Sequence, residues 1–457
     1  MAHSDDLLSR FPHRFRVLIV ILALLTLWTN YRTIFIFPSE EIVKTEQRET
    51  ASAREAKATE RMTSYPHHQR NVTATDTTYL SKGVKHLSQQ HVKNPLRPLP
   101  PQINSVSCQI GNETHIFPEF PSFILIGAQK AGTSALHGIL KQVPSIYDSA
   151  RFEPHFFDMR QPKGYRNKDP FNYTEEDICY LRHAYYMDNF HAVYRDAGKL
   201  NLTPTLTFEK TPVYMTRPII ATKIASIFYP KPKLLVILRD PVDRAFALYR
   251  HSYLSKQRVL RNELIAAQGD AVQEAKVLEK ARTNALPPFE KVISKDMGRL
   301  RRMGGTSMPS LSDWSHQEEE SSPSSLPPPD LELDNYRDSI LRGLYARQLK
   351  PFLNYWTLDK DIKVLTFDQL RQDPSQLLTD VLEFVGGGGP VPHNMTDQDL
   401  RNDFSPVQQV HSDHVNVTFE VPILDNRTRT YLKHFYQPYN AELAELLGDD
   451  RYRTIWS

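Results

Sequence analysis

The chain has 457 residues, of which 40% are hydrophobic and 10% aromatic, so it can form one large domain or two ordinary ones with a substantial core. Its formal net charge of +3 is too small to argue for a nucleic-acid-binding protein. It contains only two cysteines, so no disulfide framework can carry the fold.

The first predicted element is a membrane span near the N-terminus. Val17 to Tyr31 is almost uninterrupted apolar sequence, Arg32 breaks the run, and apolar residues then resume. Residues 17–37 supply the roughly 20 residues that cross a bilayer if the Arg32 side chain extends to the interface. Arginines before the span favour a cytoplasmic tail at residues 1–16. A cleaved signal peptide is the alternative, but no small-residue cleavage site follows the span, so we favour an uncleaved anchor.

All the Asn-x-Ser/Thr sequons lie beyond this span, which agrees with a lumenal body. They are Asn71, Asn112, Asn172, Asn201, Asn394, Asn416 and Asn426. Residues 38–115 are polar and proline-containing, so we expect a lumenal stem, although a disordered tail without function would have the same composition. Two cysteines in a lumenal body often pair, so a bridge between Cys108 and Cys179 is expected to pin the stem to the domain.

The body, residues 116–457, is predicted to be an α/β domain. The predicted strands are Phe123–Ile126, Lys233–Leu238 and Ile362–Phe367, and the predicted helices are Ser134–Gln142, one that begins at Val242, and Leu377–Val385. Short apolar strands that alternate with helices indicate a parallel sheet. The predicted fold is therefore a P-loop-type central parallel β-sheet flanked by helices, preceded by a transmembrane helix and a stem.

Residues 255–335 do not fit this alternation and are predicted to be an insertion. Glu263 to Arg302 is charged and compatible with helix. Gly304 to Asp330 contains three successive glutamates and three successive prolines, so we expect it to be disordered and removable with little loss of stability.

The segment from Gly127 to Ser134, GAQKAGTS, joins a predicted strand to a helix. Backbone N–H groups at such a helix start bind anions, and glycines let the backbone approach closely. An ATPase loop would place lysine directly after the second glycine, but Thr133 is there and Lys130 lies inside the loop. A nucleotide-dependent kinase is therefore disfavoured. An ordinary βα turn with a solvated lysine is the alternative for the loop alone.

Arg239 follows the second predicted strand at its carboxyl end, where open α/β sheets bind ligands. Its guanidinium can hold a phosphate group through two parallel N–H bonds. Asp240 and Pro241 equally suit the cap and first position of a helix, and the two interpretations are compatible.

Together, the loop and the Arg-Asp-Pro-x-x-Arg motif at 239–244 resemble the paired 5′- and 3′-phosphate motifs of the sulfotransferases that use 3′-phosphoadenosine 5′-phosphosulfate (PAPS). The motifs EPHFFD at 153–158 and EKTPVY at 209–214 resemble the glycosaminoglycan branch, which includes heparan sulfate N- and 3-O-sulfotransferases. Further motifs follow in the family's order at 343–349 and 432–448. The resemblance covers about Pro121 to Gly448, apart from the insertion.

The resemblance implies a role for each matching residue. Lys130 would touch the bridging oxygen of the donor's sulfuryl group and stabilise the leaving group. The donor's 5′-phosphosulfate would be held by Lys130, Ala131, Gly132, Thr133 and Ser134, and its 3′-phosphate by Arg239. Glu153 matches the catalytic base, with His155 as the second candidate, and Lys210 matches a lysine beside the reacting centre. His155 and Asp158 match acceptor-side positions.

These matches imply a Golgi-membrane, single-pass type II sulfotransferase with a lumenal catalytic domain. It would use PAPS as co-substrate without a metal. It would transfer a sulfuryl group to a hydroxyl of a glycan, with an amino group as the alternative acceptor and anionic polysaccharides among the candidate substrates. No nucleic-acid partner is expected.

Two departures from the family keep open a catalytically impaired member that binds the product nucleotide (PAP) or a glycan. Ala247 stands where the family usually has a serine that binds the 3′-phosphate, and the family's Lys-Gly-x-Arg loop near the C-terminus is missing. The residues that could substitute for that loop are Arg427, Arg429, His411 and His414, and the choice among them stays open.

Overall fold

The computed structural model describes residues 99, 107–110, 113–118, 120–200, 206–283, 285–302, 308, 310–314, 339–387 and 422–456. The predicted cytoplasmic tail, membrane anchor and most of the stem lie outside these residues, as do His411, His414 and the sequons other than Asn172 and Asn426. In these ranges, no helix is both long enough and apolar enough to cross a membrane.

The described residues form a central sheet, a separate hairpin and surrounding helices. The strands are β1 (Ser107–Ile110), β2 (Glu113–Ile116), β3 (Phe123–Gly127), β4 (Ile146–Asp148), β5 (Leu206–Lys210), β6 (Lys233–Leu238) and β7 (Ile362–Thr366). The α-helices are α1 (Thr133–Lys141), α2 (Glu175–Asn189), α3 (His191–Lys199), α4 (Ile219–Ile227), α5 (Pro241–Ala267), α6 (Ala271–Thr283), α7 (Phe289–Arg302), α8 (Tyr345–Leu353), α9 (Phe367–Gln372), α10 (Pro374–Val385), α11 (Asn426–Leu447) and α12 (Arg451–Thr454).

The central sheet has five parallel strands in the order β4-β5-β3-β6-β7. This arrangement confirms the predicted parallel α/β sheet. Both faces are covered, because alternate residues of the strands enter different hydrophobic clusters: Ile124 and Leu234 pack on one side, and Leu125 and Leu235 on the other. The parallel order brings the carboxyl ends of all five strands to one edge.

β1 and β2 form an antiparallel hairpin outside the central sheet, within the stretch predicted as stem. The predicted disulfide is present: Cys108 on β1 is bonded to Cys179 on α2, with 5.3 Å between their Cα atoms. Phe117 and Phe120 follow the hairpin and pack against Tyr186 of α2. The bridge and these rings attach the hairpin to the domain.

The region predicted as an insertion contains ordered helices with a buried face. α5 extends to Ala267, and α6 and α7 follow. Within the part that was expected to be removable, Leu311 and Trp314 are only 7% and 3% exposed and belong to a cluster with α7 and α11. The expectation that all of 304–330 can be deleted is therefore wrong, because deletion would remove buried apolar side chains.

Candidate active site

The phosphate-type loop connects β3 to α1 through two left-handed residues, Lys130 with φ 68° and Gly132 with φ 99°. A side chain at Gly132 would also place its Cβ 2.6 Å from the ring of Phe367, so glycine is needed both for backbone conformation and for space. Gly132 is the N-cap of α1 and has no side chain to occupy the first N–H groups of the helix. Those N–H groups, with the helix dipole, can bind an anion.

A cluster of charged side chains lies beside this loop. Glu153 accepts a hydrogen bond from Lys210 Nζ at 2.7 Å and contacts His155 Nε2 at 3.2 Å through its other oxygen. The Nδ1 atom of His155 lies 3.1 Å from Asp158 Oδ2. Lys130 interacts electrostatically with both Glu153 and Lys210. The structure therefore brings together all five charged residues that the sequence motifs predict for the reaction and acceptor sites.

Contacts within the cluster determine the protonation states of Glu153 and His155. Hydrogen bonds to Asp158 and Glu153 raise the pKa of His155 to about 9, so its imidazole is protonated at neutral pH. Burial acts to raise the pKa of Glu153, but hydrogen bonds from His155 and Lys210 outweigh it and lower that pKa to about 2. His155 is thus a cation that cannot accept a proton in this arrangement, which argues against its role as the second candidate base.

Neighbouring strands position these residues. Lys210 ends β5, which pairs with β3 so that Lys210 lies opposite Leu125, near the start of the loop. The segment with Glu153 and His155 follows β4, the other neighbour of β5. The carboxyl ends of three adjacent strands thereby converge on one site.

Buried polar contacts hold the segment after Glu153. Lys223 of α4 donates to Gln161 Oε1 at 2.6 Å and to the carbonyl oxygen of Arg166 at 2.9 Å. Arg217 donates to the carbonyl oxygen of Asp158 at 3.0 Å. These contacts restrain the turn that presents His155 and Asp158.

Arg239 lies at the carboxyl end of β6, on the opposite side of β3 from β5. Its guanidinium carbon is 4.6 Å from the centre of the Phe367 ring, and Tyr345 Oη donates to its carbonyl oxygen at 2.7 Å. Asp240 caps α5 through its side chain, as the motif predicts. Arg239 and the loop thus share Phe367 as a common packing partner.

The missing C-terminal loop leaves Arg427 and Arg429 as the candidates that the structure describes. Arg427 donates to backbone carbonyls of Leu311 and Trp314, so it is used to hold that segment. Arg429 pairs with Asp243 of α5 at 2.9 Å and lies near the Arg-Asp-Pro motif. Of these two, Arg429 has the position closer to the predicted 3′-phosphate site.

A cavity of about 430 Å³ lies beside the Arg-Asp-Pro turn. Its charged lining residues are Asp240, Asp243, Asp368 and Arg451, whereas Arg239 does not line it. Three carboxyl groups against one guanidinium disfavour a phosphate, so the volume of this cavity alone does not mark a donor site.

Sequence reasoning missed three residues at the site. Phe367 follows β7 at the same sheet edge and could have been found from that position. Phe152 precedes Glu153 and is 58% exposed. Glu209 lies inside a quoted motif, is fully buried, and has its pKa raised to about 8 by burial. Contacts and burial, which motifs do not record, distinguish the last two.

Known proteins resemble this chain in sequence. Residues 121–292 match the sulfotransferase family. The chain is 26% identical over 337 residues to bifunctional heparan sulfate N-deacetylase/N-sulfotransferase 4 of Mus musculus, covering 72% of this chain and 30% of that protein. It is 32% identical over 342 residues to heparan sulfate glucosamine 3-O-sulfotransferase 3A1 of Homo sapiens, covering 73% of this chain and 62% of that enzyme.

The chain therefore spans less than a third of the bifunctional relative and under two thirds of the 3-O-sulfotransferase. Among solved structures, a sulfotransferase from Alicyclobacillus acidocaldarius aligns with TM-score 0.41 and 22% identity, over 74% of this chain and 100% of that one.

Proposed function

We propose that this chain, which carries a sulfotransferase-family domain, transfers a sulfuryl group from PAPS to a hydroxyl of an anionic glycan, with an amino group as the alternative acceptor. The observation that carries the proposal is the contact of the Glu153 carboxylate with Lys210 and His155, beside Lys130 and the start of α1. The heparan sulfate enzymes among its relatives support a glycosaminoglycan acceptor.

The donor would bind across the carboxyl edge of the sheet. Backbone N–H groups from Lys130 to Ser134 suit the 5′-phosphosulfate, because they surround the left-handed turn at Gly132. Arg239 suits the 3′-phosphate, because its guanidinium is held against Phe367 on the β6 side of the loop. The residues present thus fit an extended donor with two anionic ends.

In the reaction, the acceptor oxygen forms a bond to sulfur as the bond from sulfur to the 5′-phosphate oxygen breaks. The hydroxyl proton passes to Glu153, and the bonding electrons leave with the nucleotide as PAP. Lys130 and the N–H groups of α1 stabilise the charge that grows on the departing phosphate. Lys210 and His155 hold the carboxylate in place, which reduces the entropic cost of alignment.

The low pKa of Glu153 sets a condition on this step. A carboxylate with a pKa of about 2 is a weak base while both cations contact it. An acceptor hydroxyl that replaces His155 or Lys210 at one oxygen would raise that pKa and make Glu153 a better base. Acceptor binding would therefore activate the residue that deprotonates it.

A catalytically impaired nucleotide- or glycan-binding protein is the second candidate. Ala247 favours it, because alanine cannot supply the hydroxyl that the family's serine offers to the 3′-phosphate. This candidate predicts PAP or glycan binding without turnover.

We further propose that the domain is lumenal and anchored in the Golgi membrane by residues 17–37. Asn172 and Asn426, the sequons within the described residues, are both exposed. Glycosidase treatment of the protein from a glycosylating host should increase its gel mobility. An unchanged mobility would contradict a lumenal body.

The deciding experiment is transfer from ³⁵S-labelled PAPS to a glycan panel that includes heparan sulfate, with PAP binding measured by calorimetry. Glu153→Gln should retain PAP affinity and lose turnover by about 10²–10⁴-fold. Lys130→Ala should lose turnover by about 10²–10³-fold and also bind PAP more weakly. Lys199→Gln, an exposed charge on α3, serves as the control. Binding of PAP or of a glycan without transfer by the parent would favour the impaired member, and a parent that binds neither would contradict both candidates.

A further inference from the structure

The first helix of the domain has a surface groove of about 420 Å³ that shares only Ser134 with the proposed donor site. Its lining is Ser134, Ala135, His137, Gly138 and Lys141 of α1, together with the adjoining Gln142 and Phe152. The groove extends about 10 Å along α1 from Ser134 to Lys141, at 1.5 Å per residue. Its volume lies within the range of small-ligand sites.

The topology of the sheet places this groove on the acceptor side. β3 is the middle strand, with Arg239 following its neighbour β6 and Phe152 following β4 on the other side. A donor that extends from the loop towards Arg239 therefore leaves the Phe152 side open. One end of the groove adjoins Ser134 at the loop, and Phe152 directly precedes Glu153.

Phe152 is a fixed apolar surface at this place. A single exposed apolar residue is common on proteins, but this ring is held on both sides. Lys210 Nζ lies 3.4 Å from its centre, and the ring of His137 meets it nearly edge-on at 5.0 Å. His137 is itself buried and lies 2.8 Å from Asp148. The phenyl ring is thus held in place while 58% of the residue stays exposed.

Lys141 supplies a positive charge at the far end of the groove. Its side chain is 54% exposed and lies 3.8 Å from Asp148 Oδ2, the oxygen that His137 approaches more closely. Because the ion pair between Lys141 and Asp148 is long, and Asp148 also contacts His137, the ammonium group of Lys141 stays accessible to another anion. An aromatic wall and a lysine along one groove match a sugar ring that carries an acidic group.

We propose that this groove binds the saccharide unit next to the one that receives the sulfuryl group. The C–H face of that unit packs against Phe152, and its carboxylate or sulfate lies near Lys141. The inference rests on the proposed sulfotransferase function and adds to it the place where the acceptor's neighbouring unit binds. Phe152 and Lys141 are then acceptor-specificity residues and take no part in donor binding.

The test measures the KM for heparan sulfate in transfer from PAPS, together with calorimetric binding of heparan sulfate to the PAP-loaded protein. Phe152→Ala should raise KM and the glycan Kd by about 5–20-fold, the effect of losing one buried aromatic contact, while PAP affinity stays within about twofold. Phe152→Tyr should restore parental binding because it keeps the ring. Lys141→Gln should raise both constants by about 2–5-fold at low salt, and this difference should shrink at high salt.

Leu278→Ala and Lys199→Gln remove an exposed apolar and an exposed charged side chain elsewhere and serve as matched controls. Glycan binding that survives both groove substitutions unchanged would overturn the proposal, as would a parent that binds no heparan sulfate. Lys141 contacts neither Glu153 nor Lys210 in the structure, so Lys141→Gln decides the matter if Phe152→Ala disturbs the fold. A parent that binds the glycan through Phe152 but transfers nothing would refute the enzyme function and leave the groove assignment intact.

Discussion

At the scale of single residues, His155 links two carboxylates and remains charged because of them. Its pKa is raised to about 9 from an ordinary value of 6.5. A raised pKa in the folded state means that protonation stabilises the fold below pH 6.5, and that this stabilisation is lost as the pH rises through 9.

We compare the unfolding free energy of the parent with that of the His155→Gln variant. The parent should be more stable by about 1–2 kcal/mol at pH 6, a value reduced to allow for the partial exposure of the side chain. The difference should shrink towards pH 10. Urea unfolding at the two pH values measures it, and an equal difference at both would contradict the assigned charge.

The environment of Glu209 favours the neutral form of its side chain, whereas that of His155 favours the charged form. Burial raises its pKa to about 8, although the hydroxyls of Tyr185 and Tyr214 oppose the shift. Neither carboxyl oxygen has a hydrogen-bond partner of good geometry among the described residues. A carboxyl whose pKa is raised on folding makes the folded protein less stable as the pH rises from 4.5 to 8, because in this range the carboxyl ionises in the unfolded chain while the buried one keeps its proton.

Glu209→Gln should therefore be about as stable as the parent at pH 5 and more stable by about 2–4 kcal/mol at pH 8.5. The same unfolding measurement tests this prediction. Glu113→Gln, an exposed substitution on β2, should show no such divergence. A Glu209→Gln variant that is destabilised equally at both values would mean that Glu209 is ionised and paired.

Substitutions at Arg239 and Ala247 test individual contacts of the proposed donor site. Arg239→Ala should weaken PAP binding by about 1.5–3 kcal/mol, since it removes a charge-assisted hydrogen bond. Arg239→Lys keeps the charge but loses the two-pronged geometry, so it should bind with intermediate affinity. Ala247→Ser should bind PAP more tightly. Calorimetry distinguishes these variants, and an unchanged Kd for Arg239→Ala would remove this residue from the donor site.

Motifs predicted which charged residues meet at the site, but not their protonation. Lys130, Glu153 and Lys210 could be named because each follows a predicted strand or lies in a recognisable motif. The cationic state of His155 could not, because it depends on distances to two carboxylates that only folding sets. Phe152 was missed because its contacts with Lys210 and His137 are likewise set only by folding.

At the scale of elements, β3, β6 and β7 were predictable because both sheet faces are buried and their strands are apolar runs. β5 was not, since Thr207, Glu209 and Lys210 make it look like a polar turn although all three are fully buried. The strand ends at the candidate site, where Lys210 donates a hydrogen bond to Glu153. The polar, proline-rich composition of 304–330 likewise concealed the buried Leu311 and Trp314.

The buried side chain of Trp314 leads to a prediction about how residues 304–330 contribute to stability. Its ring packs edge-on against Tyr431 of α11 at 5.6 Å, and its carbonyl oxygen accepts a bond from Arg427. Trp314→Ala should lower the unfolding free energy by about 3 kcal/mol, as for other large buried rings. Deletion of 304–330 should cost at least as much, and deletion of 316–330 less. Ser312→Ala, an exposed neighbour, is the control; a stable 304–330 deletion would refute the packing role.

At the scale of the whole molecule, the hairpin and the carboxyl edge of the sheet, where the candidate site lies, are joined only indirectly. The hairpin is held by the Cys108–Cys179 bridge and by aromatic contacts to α2, whereas the site is formed by the carboxyl ends of β3, β4, β5 and β6. The bridge joins residues 71 apart in sequence, and in the chain-entropy account such a loop is worth roughly 4 kcal/mol. Stability and donor binding should therefore respond differently to its loss.

We expect the Cys108→Ala, Cys179→Ala double variant to lose about 2–4 kcal/mol of unfolding free energy. Part of the calculated effect is offset because Phe117 and Phe120 still hold the hairpin to α2. At a temperature where the variant is folded, its Kd for PAP should stay within about twofold of the parent, because neither cysteine approaches the loop or Arg239. Adding a reductant should destabilise the parent by a similar amount and leave the variant unchanged. A variant that keeps its stability but loses PAP binding would show that the bridge supports the donor site directly.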